Sequence, residues 1–247
     1  MLTEERHEII LEKLKEQSTI TVTELVSLLD ASESTIRRDL NTLHKSGLLK
    51  KIHGGATIIS NTKFKEETTV NIKKELNFNT KQKLAKYAAS LINDEDIVYI
   101  DAGTTTELII DYIDAKNVVF VTNGIVHAKK LIQNDFKTLI LGGEVKLTTE
   151  AIIGIEAVNS LKKYNFTKGF FGTNGVTAER GYTTPDINEA LVKTEAINRC
   201  NKSYVLCDES KFNENSFITF ANIDDAIMII PKCINNFKNF TNVMEVE

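Results

Sequence analysis

The sequence predicts an α/β protein in which a small N-terminal module of helices and a β-hairpin precedes a larger domain with a mostly parallel sheet. Two observations predict this organisation. Residues 1–59 carry apolar residues at helical spacing, followed by an alternating segment around a Gly-Gly pair. Beyond residue 79, short continuous apolar runs alternate with helical stretches, as in parallel sheets that are covered on both faces.

Composition and termini limit the class of protein. The hydrophobic content of 42% is ordinary, and no apolar run approaches the roughly 18 residues of a membrane helix. The N-terminus, MLTEERHEII, is charged and lacks the apolar segment of a signal peptide. We therefore expect a cytoplasmic protein with no membrane partner.

Neither the cysteines nor the histidines indicate a metal or a cofactor. Cys200, Cys207 and Cys233 lack metal-type spacing, and the four histidines are scattered. The nucleotide-binding patterns G-x-G-x-x-G and G-x-x-x-x-G-K-[ST] are absent. The expectation is reduced thiols, no metal and no cofactor.

The first helices of the N-terminal module have recognisable boundaries. Residues 3–16 form an amphipathic pattern, and Thr21 with Glu24 is a capping box that opens a short second helix. Ser32 is a good N-cap for a third helix, which Gly47 is expected to end. This spacing predicts a helix-turn-helix.

The positive charge is concentrated at the third helix and the hairpin that follows. The formal net charge of the chain is −4, yet residues 34–55 hold five basic residues against one acidic residue, Asp39. Asp39 falls near the buried side of its helix and is interpreted as structural. A winged helix-turn-helix that binds double-stranded operator DNA is predicted, although a solvated charged face is the alternative. The predicted DNA-contact residues are Ser34, Thr35, Arg37, Arg38, Asn41, Lys45, Lys50, Lys51, His53, Gly54 and Gly55.

A polar segment joins the module to the larger domain. Residues 60–78 have no sustained apolar period and are expected to be a linker, in part helical. The predicted domains are therefore 1–59 and 79–247. In the second of these, the apolar runs at 97–100, 118–121, 138–141, 169–172, 204–207 and 227–230 are the predicted strands.

Turn-forming and polar residues follow several of these strands. The first is followed by D-A-G-T-T, the second by T-N-G, the third by G-G and a later one by D-E-S-K. Because ligands of parallel sheets bind beyond the carboxyl ends of the strands, four such loops favour a polyol-phosphate pocket over ordinary turns. The predicted effector-binding residues are Asp101, Gly103, Thr104, Thr105, Thr122, Asn123, Gly124, Gly142, Gly143, Lys146, Asp208 and Lys211.

Several of these motifs occur together in one known family. S-E-S-T-I-R-R-D-L (32–40), K-I-H-G-G-A (51–56), D-A-G-T-T (101–105), T-N-G (122–124), L-G-G-E (141–144) and C-D-E-S-K-F (207–212) resemble the DeoR family of bacterial transcriptional regulators. The resemblance implies a sugar-phosphate sensor domain with a fold like that of ribose-5-phosphate isomerase. It extends nearly to the end of the chain.

The segments at 143–154, 166–176 and 181–190 resemble fructose-operon repressors of low-GC Gram-positive bacteria. This narrower resemblance implies fructose 1-phosphate as effector. Lys146 stands where the wider family more often has arginine, and a lysine cannot bind a phosphate with a bidentate fork.

Three functions are compatible with the sequence of the larger domain. An isomerase would need a carboxylate base, and Asp101, Glu144, Glu150, Glu189 and Asp208 lie near the predicted pocket mouth. A second domain that serves only oligomerisation is a further alternative. We expect a sensor without catalytic residues, because an effector acts on DNA binding by population shift, which requires no turnover. A homodimer or homotetramer is expected, because one winged helix covers few base pairs.

Overall fold

The computed structural model describes residues 3–17, 19–45, 48–52, 54–57, 70–231, 237 and 240–246. The chain divides into two compact units, residues 1–63 and 64–247.

The smaller unit has the predicted helices and hairpin, with one additional strand. The described elements are α1 (Thr3–Gln17), β1 (Thr19–Thr21), α2 (Val22–Leu29), α3 (Glu33–Lys45), β2 (Lys50–Ile52) and β3 (Gly55–Thr57). The strands form an antiparallel sheet in the order β1-β3-β2. Strand β1 was not predicted, because it is only Thr-Ile-Thr, with one buried residue.

Helix α2 begins with the predicted capping box. The Thr21 N–H donates to Glu24 Oε2 at 2.7 Å, and the Glu24 N–H donates to Thr21 Oγ1 at 3.2 Å. Ser32 Oγ accepts from the Thr35 N–H at 3.3 Å, at the start of α3. Both caps satisfy N–H groups that the helix itself leaves unpaired. Gly47 lies outside the described residues.

A buried ion pair fastens α1 to α3 inside the smaller unit. Asp39 is 2% exposed, and its carboxylate accepts from Arg6 Nε at 2.8 Å and lies 3.2 Å from His7 Nε2. Burial alone would raise the pKa of Asp39, but the hydrogen bonds from Arg6 and His7 lower it below its usual value. Asp39 therefore has the structural position that the sequence indicated.

Gly55 lies inside the sheet rather than at the exposed tip of the hairpin. It is buried and pairs with Thr21 of β1, and an added Cβ would lie 2.2 Å from the Ile20 carbonyl oxygen. Gly55 therefore has a structural position in the sheet, and a DNA contact at this residue stays a prediction. Gly54 is exposed with a φ of 82°, and His53 lies outside the described residues.

The larger unit is built on a seven-stranded parallel sheet in the order β15-β14-β12-β9-β4-β5-β6. Its helices are α4 (Val70–Glu75), α5 (Phe78–Ser90), α6 (Thr104–Ile109), α7 (Ile125–Gln133), α8 (Ile155–Leu161) and α9 (Ile187–Asn198). The strands of the parallel sheet are β4 (Ile97–Ile100), β5 (Val119–Thr122), β6 (Lys137–Ile140), β9 (Phe166–Gly172), β12 (Cys200–Leu206), β14 (Ile227–Ile230) and β15 (Val243–Glu245).

The parallel sheet is covered on both faces, as the continuous apolar runs predicted. Along β4, Tyr99 belongs to one hydrophobic cluster, while Val98 and Ile100 belong to another. Along β9, Phe171 and Phe170 divide between the same two clusters. Alternation along a strand places neighbours on opposite faces, so the two clusters are the cores above and below the sheet. The predicted α/β fold is confirmed.

Two small antiparallel sheets complete the larger unit. They comprise β7 (Glu144–Lys146) with β8 (Ala151–Ile153), and β10 (Gly175–Thr177) with β11 (Gly181–Thr184) and β13 (Ile218–Ala221).

The predicted linker 60–78 needs correction in its second half. Residues 58–69 lie outside the described residues, but α4 and the start of α5 belong to the larger unit. Lys74 forms an ion pair with Glu107 at 3.1 Å, and Asn77 donates to Asp208 at 2.8 Å. The segment lacks an apolar period because polar contacts attach it.

The position of Gly55 generates a stability prediction. Gly55→Ala should destabilise the smaller unit by about 3 kcal/mol, because the new methyl group collides with backbone that cannot move freely. Gly54→Asn should cost less than about 1 kcal/mol, since asparagine tolerates a positive φ and the space around Gly54 is open. Chemical unfolding of both variants measures the difference. Equal losses would contradict the structural role of Gly55.

Candidate nucleic-acid interface and ligand pocket

The exposed face of α3 carries most of the predicted DNA-contact side chains. Ser34, Arg37, Arg38 and Asn41 are exposed, and Thr35 is half-buried. Ile36, Leu40 and Leu43 point the opposite face into the core. Such a polar, positively charged helix face suits the major groove.

The hairpin and α3 share a contact that joins their polar surfaces. Lys51 Nζ donates to Asn41 Oδ1 at 2.7 Å. Arg37 pairs with Glu33 at 2.6 Å, whereas Arg38 has no carboxylate partner among the residues that the structure describes. Lys50 is exposed beside Lys51. Nothing is described of the Lys45 side chain.

A pocket lies at the carboxyl ends of β4, β9 and β12 in the larger unit. Its wall includes five of the twelve predicted effector-binding residues, namely Gly103, Thr104, Thr105, Asp208 and Lys211. The cavity thus lies at an edge of the sheet where the sequence predicted an effector site, but seven of the twelve predicted residues are not part of its wall.

Asp101 holds the pocket loop from beneath. It is 1% exposed, forms an ion pair with Lys193 of α9, and accepts from the Gly172 N–H at 3.1 Å. Burial raises the pKa of the Asp101 carboxyl, and the charge of Lys193 opposes this. Because its carboxylate oxygen is used inside the protein, Asp101 is a support for the loop.

Thr122, Asn123 and Gly124 also lie behind the wall. Thr122 Oγ1 donates to the Ile100 carbonyl at 2.6 Å, and Asn123 Oδ1 accepts from the Ala102 N–H at 2.8 Å. Gly124 is buried against the ring of His127. These residues fix the backbone of the pocket loop and are not part of the cavity wall.

The remaining three predicted residues lie further away. Gly142 and Gly143 are exposed after β6, where they line a separate shallow depression with Glu144. Lys146 Nζ lies 3.0 Å from Asp186 and 3.2 Å from Glu189. Lys146 thus supports the pocket through Glu189, whose side chain is in the wall.

His127 is a pocket residue that the sequence analysis did not single out. Its Nε2 lies 3.1 Å from the Gly103 carbonyl oxygen and 3.2 Å from Thr106 Oγ1, which also donates to the Asp101 carbonyl at 2.6 Å. Burial lowers the pKa of His127 from 6.5 to about 3. The imidazole is therefore neutral at physiological pH and braces the loop.

Lys81 of α5 is a second residue missed by the sequence analysis. It is 4% exposed, lines the pocket, and its Nζ lies 3.2 Å from Thr104 Oγ1. Burial lowers the pKa of Lys81, although the carboxylate of Asp208 opposes this. The sequence contained an indication of this position, because Lys81 falls on the same helical stripe as Leu84, Ala85 and Ala88. A lysine on the buried face of a helix is unusual unless it has a polar or charged partner.

Asp208 and Lys211 form the side of the pocket beyond β12. Burial alone would raise the pKa of Asp208, but the charge of Lys211 and the hydrogen bonds from Ser210 and Asn77 lower it. The carboxylate is thus held as an anion beside the Lys211 charge.

The other side of the pocket carries amide, hydroxyl and carboxylate groups. Asn174, Thr149, Glu150 and Glu189 belong to it. Glu189 accepts from Lys146 and Thr149 through Oε1 and from Thr184 through Oε2 at 3.1 Å. A cavity with cations and a Gly-Thr-Thr loop at one part, and amide, hydroxyl and carboxylate groups at another, is suited to a polyol with an anionic group.

Within the described part of the chain, no cluster of three or more His, Cys, Asp or Glu side chains could hold a metal ion. No helix there is long and apolar enough to span a bilayer.

Two family models match the chain, one in each unit. The DeoR-like helix-turn-helix domain matches residues 6–62, and the DeoR C terminal sensor domain matches residues 76–232.

Curated relatives match along most of their length. An uncharacterized HTH-type transcriptional regulator named FruR, from Bacillus subtilis, is 46% identical over 230 residues, which are 93% of this chain and 91% of the relative. The lactose phosphotransferase system repressor of Lactococcus lactis is 36% identical over 254 residues, covering 98% of each chain. The HTH-type transcriptional regulator IolR of Bacillus subtilis is 34% identical over 86% of this chain and 84% of the relative.

Among solved structures, ribose 5-phosphate isomerase A from Methanocaldococcus jannaschii aligns with 19% identity and a TM-score of 0.41 over 55% of each chain. A likeness of this extent carries no inference about activity.

The neutral, buried state of His127 predicts a pH dependence of stability. Since the unfolded chain takes up a proton near pH 6.5 and the folded chain only near pH 3, His127 makes the protein lose stability as the pH falls through this window. Between pH 7 and pH 5, the free energy of unfolding should fall by about 2 kcal/mol less in His127→Gln than in the wild-type protein. Urea unfolding of both proteins at the two pH values measures this, and parallel losses would exclude a buried neutral imidazole.

Proposed function

Because the chain belongs to the DeoR family of transcriptional regulators, we propose that it represses a sugar-utilisation operon and leaves its operator when a phosphorylated sugar binds the pocket. The observation that carries the effector half of this proposal is the pocket in the sensor domain. There, Thr104 and Thr105 lie with the ammonium groups of Lys81 and Lys211.

The DNA half of the proposal rests on α3 and the hairpin. Arg38, Asn41 and Lys51 present cationic and amide groups on connected elements. In the proposed complex, α3 enters the major groove and the lysines of β2 contact phosphates. Phosphate contacts supply affinity, while the serine, threonine and asparagine side chains of α3 reach base edges.

The proposed effector is a sugar monophosphate. Its phosphate binds the Gly103–Thr105 loop, where backbone N–H groups, hydroxyls and nearby ammonium groups favour an anion. The hydroxyls of the sugar meet Asn174 and Thr149. The resemblance of segments 143–154, 166–176 and 181–190 to fructose-operon repressors makes fructose 1-phosphate the first effector to test, and one relative carries the name FruR.

Sensing rather than isomerisation is favoured by how the carboxylates are used. Asp101 is paired with Lys193, Glu189 accepts three hydrogen bonds, and Asp208 accepts from Asn77 and Ser210. A general base must be able to reach the proton that it abstracts. Side chains engaged within the wall suit a rigid binding site better than proton transfer.

The proposed DNA-binding form is a homodimer or homotetramer. Leu139 and Ile140 of β6 are exposed at the edge of the parallel sheet, together with Ile132 of α7. Exposed apolar side chains at a sheet edge are a typical site for self-association. Light scattering of the free protein and of its operator complex measures the state, and a monomer in both would refute this part.

For the DNA contacts, Arg38→Ala and Lys51→Ala should each weaken operator binding. Each lost phosphate contact should reduce the slope of log affinity against log salt by about 0.9. Lys86→Ala, which removes an exposed lysine from α5, serves as the charge-matched control. The operator is first selected from a pool of random DNA sequences. Unchanged affinity and slope in both variants would remove this surface from the interface.

For the effector pocket, Thr105→Val and Lys211→Met should weaken sugar-phosphate binding about tenfold or more, since each removes a contact with the phosphate. Operator affinity without effector should stay within about twofold. Both variants should then remain on the operator at effector concentrations that release the wild-type protein. Calorimetry and DNA-binding titrations measure the two effects separately.

The comparison with unphosphorylated sugar is the control for this experiment. Fructose 1-phosphate or another sugar phosphate should raise the melting temperature, because a ligand of the native state stabilises it, and fructose should do so much less. Product analysis after incubation with fructose 6-phosphate or ribose 5-phosphate tests the alternative. Turnover above background would replace the sensor proposal with an enzyme.

A further inference from the structure

We infer that Lys81 binds the anionic group of the effector and connects it to α4, so that α4 is the element that transmits pocket occupancy to the DNA-binding unit. This inference rests on the proposed function and identifies a binding residue and a route of regulation within it. It follows from three features: the surroundings of Lys81, the contacts of α4 and the place of α4 in the chain.

Lys81 is a buried cation that faces the Gly103–Thr105 loop. Its Nζ donates to the carbonyl oxygen of Lys73 and lies 3.2 Å from Thr104 Oγ1. Among the described residues, no carboxylate lies within ion-pair distance of Lys81. A buried ammonium group is costly unless an opposite charge compensates it, and an anion next to Thr104 would supply that charge.

Three contacts tie α4 and the residue just after it to the pocket wall. Lys81 donates to the last turn of α4 at Lys73, Lys74 pairs with Glu107, and Asn77, just after the helix, donates to Asp208. The partners Lys81, Glu107 and Asp208 are themselves wall residues. A ligand that draws Lys81 towards the loop therefore acts directly on the position of α4.

Helix α4 also forms part of the pocket and stands next to the smaller unit in the sequence. Val70 and Lys73 line the cavity. Only residues 58–69 separate β3 from α4 along the chain. A change in α4 is thus the shortest covalent route from the bound anion to the winged helix.

The ammonium group has three donors, so Lys81 can bind a phosphate oxygen while it keeps the Lys73 carbonyl. The anion then strengthens the attachment of α4 instead of breaking it. A bound effector should order α4 and bias the unit towards the arrangement in which DNA is released.

The first test is amide exchange of the full-length wild-type protein with fructose 1-phosphate, and with inorganic phosphate as the minimal probe. Exchange of residues 70–77 should slow at least about threefold on ligand binding. Unchanged exchange in this segment with saturating sugar phosphate would overturn the role of α4.

The second test separates binding from transmission. Lys81→Met should lose tenfold or more in affinity for the sugar phosphate and lose the protection of 70–77, while its melting temperature without ligand is equal or higher, because methionine is buried without a charge. Lys74→Glu places a carboxylate against Glu107 and detaches α4; it should keep effector affinity within about threefold but require at least about tenfold more effector to release the operator.

Lys86→Glu is the matched control, with the same change in charge on the exposed side of α5, and should behave like the wild type. Wild-type affinity in Lys81→Met, or wild-type release in Lys74→Glu, would overturn the inference and leave the proposed function intact. If the wild-type protein binds none of the sugar phosphates, the proposed function itself fails.

Discussion

The buried ion pair between Asp101 and Lys193 is the interaction on which the pocket depends. It joins the end of β4 to α9, and both side chains also bond the backbone of Gly172 at the end of β9. Two charges out of water are stable only when each compensates the other, and removal of one partner costs about 3 to 5 kcal/mol. Three elements that are distant in sequence are thereby fixed at one point, directly beneath the Gly-Thr-Thr loop.

The polar residues behind the loop extend this constraint. Asn123, Thr106 and His127 bond the backbone of residues 101–103. Asn123 accepts from the Ala102 N–H, whereas Thr106 and His127 contact the carbonyl oxygens of Asp101 and Gly103, so that together they hold the peptide groups of the loop in place. A binding site for an anion requires such preorganisation, since N–H groups that must be reoriented on binding lose part of their interaction energy.

The central part of the fold was predictable because its strands are buried on both faces. Short apolar runs of four residues flanked by turns favour strands over helices. Five of the six predicted runs became the largely buried β4, β5, β9, β12 and β14, and the sixth became β6, a mostly exposed strand at the edge of the sheet. Strands β10 and β11 were not predicted, since Gly-Val-Thr and Gly-Tyr-Thr-Thr are short and contain polar residues. At the site, the loops after β4 and β12 line the cavity as the sequence indicated, whereas the contribution from the end of β9 was not predicted and the loops after β5 and β6 are not in the wall. Asn123 and Thr104 have equally polar side chains, and only the path of the backbone decides that one supports and the other lines the pocket.

The weak attachment of α4 is what would make it suitable for transmission. The side chains of Val70, Lys73 and Lys74 are half-buried and that of Glu75 is exposed. The ion pair that ties Lys74 to Glu107 is polar and leaves the Lys74 side chain 41% exposed. Partly exposed ion pairs contribute about 1 kcal/mol or less, whereas the sheet beside them is fixed by a dense apolar core. A 10- to 100-fold change in operator affinity requires about 1.4 to 2.7 kcal/mol, which is comparable to the summed strength of a few such contacts. An anion that adds or redistributes charge-assisted hydrogen bonds at Lys81 therefore has enough free energy to move α4, but far too little to rearrange β4 or β9. These free energies therefore indicate that an effector can shift α4, at the polar N-terminal end of the larger unit, but cannot rearrange the sheet.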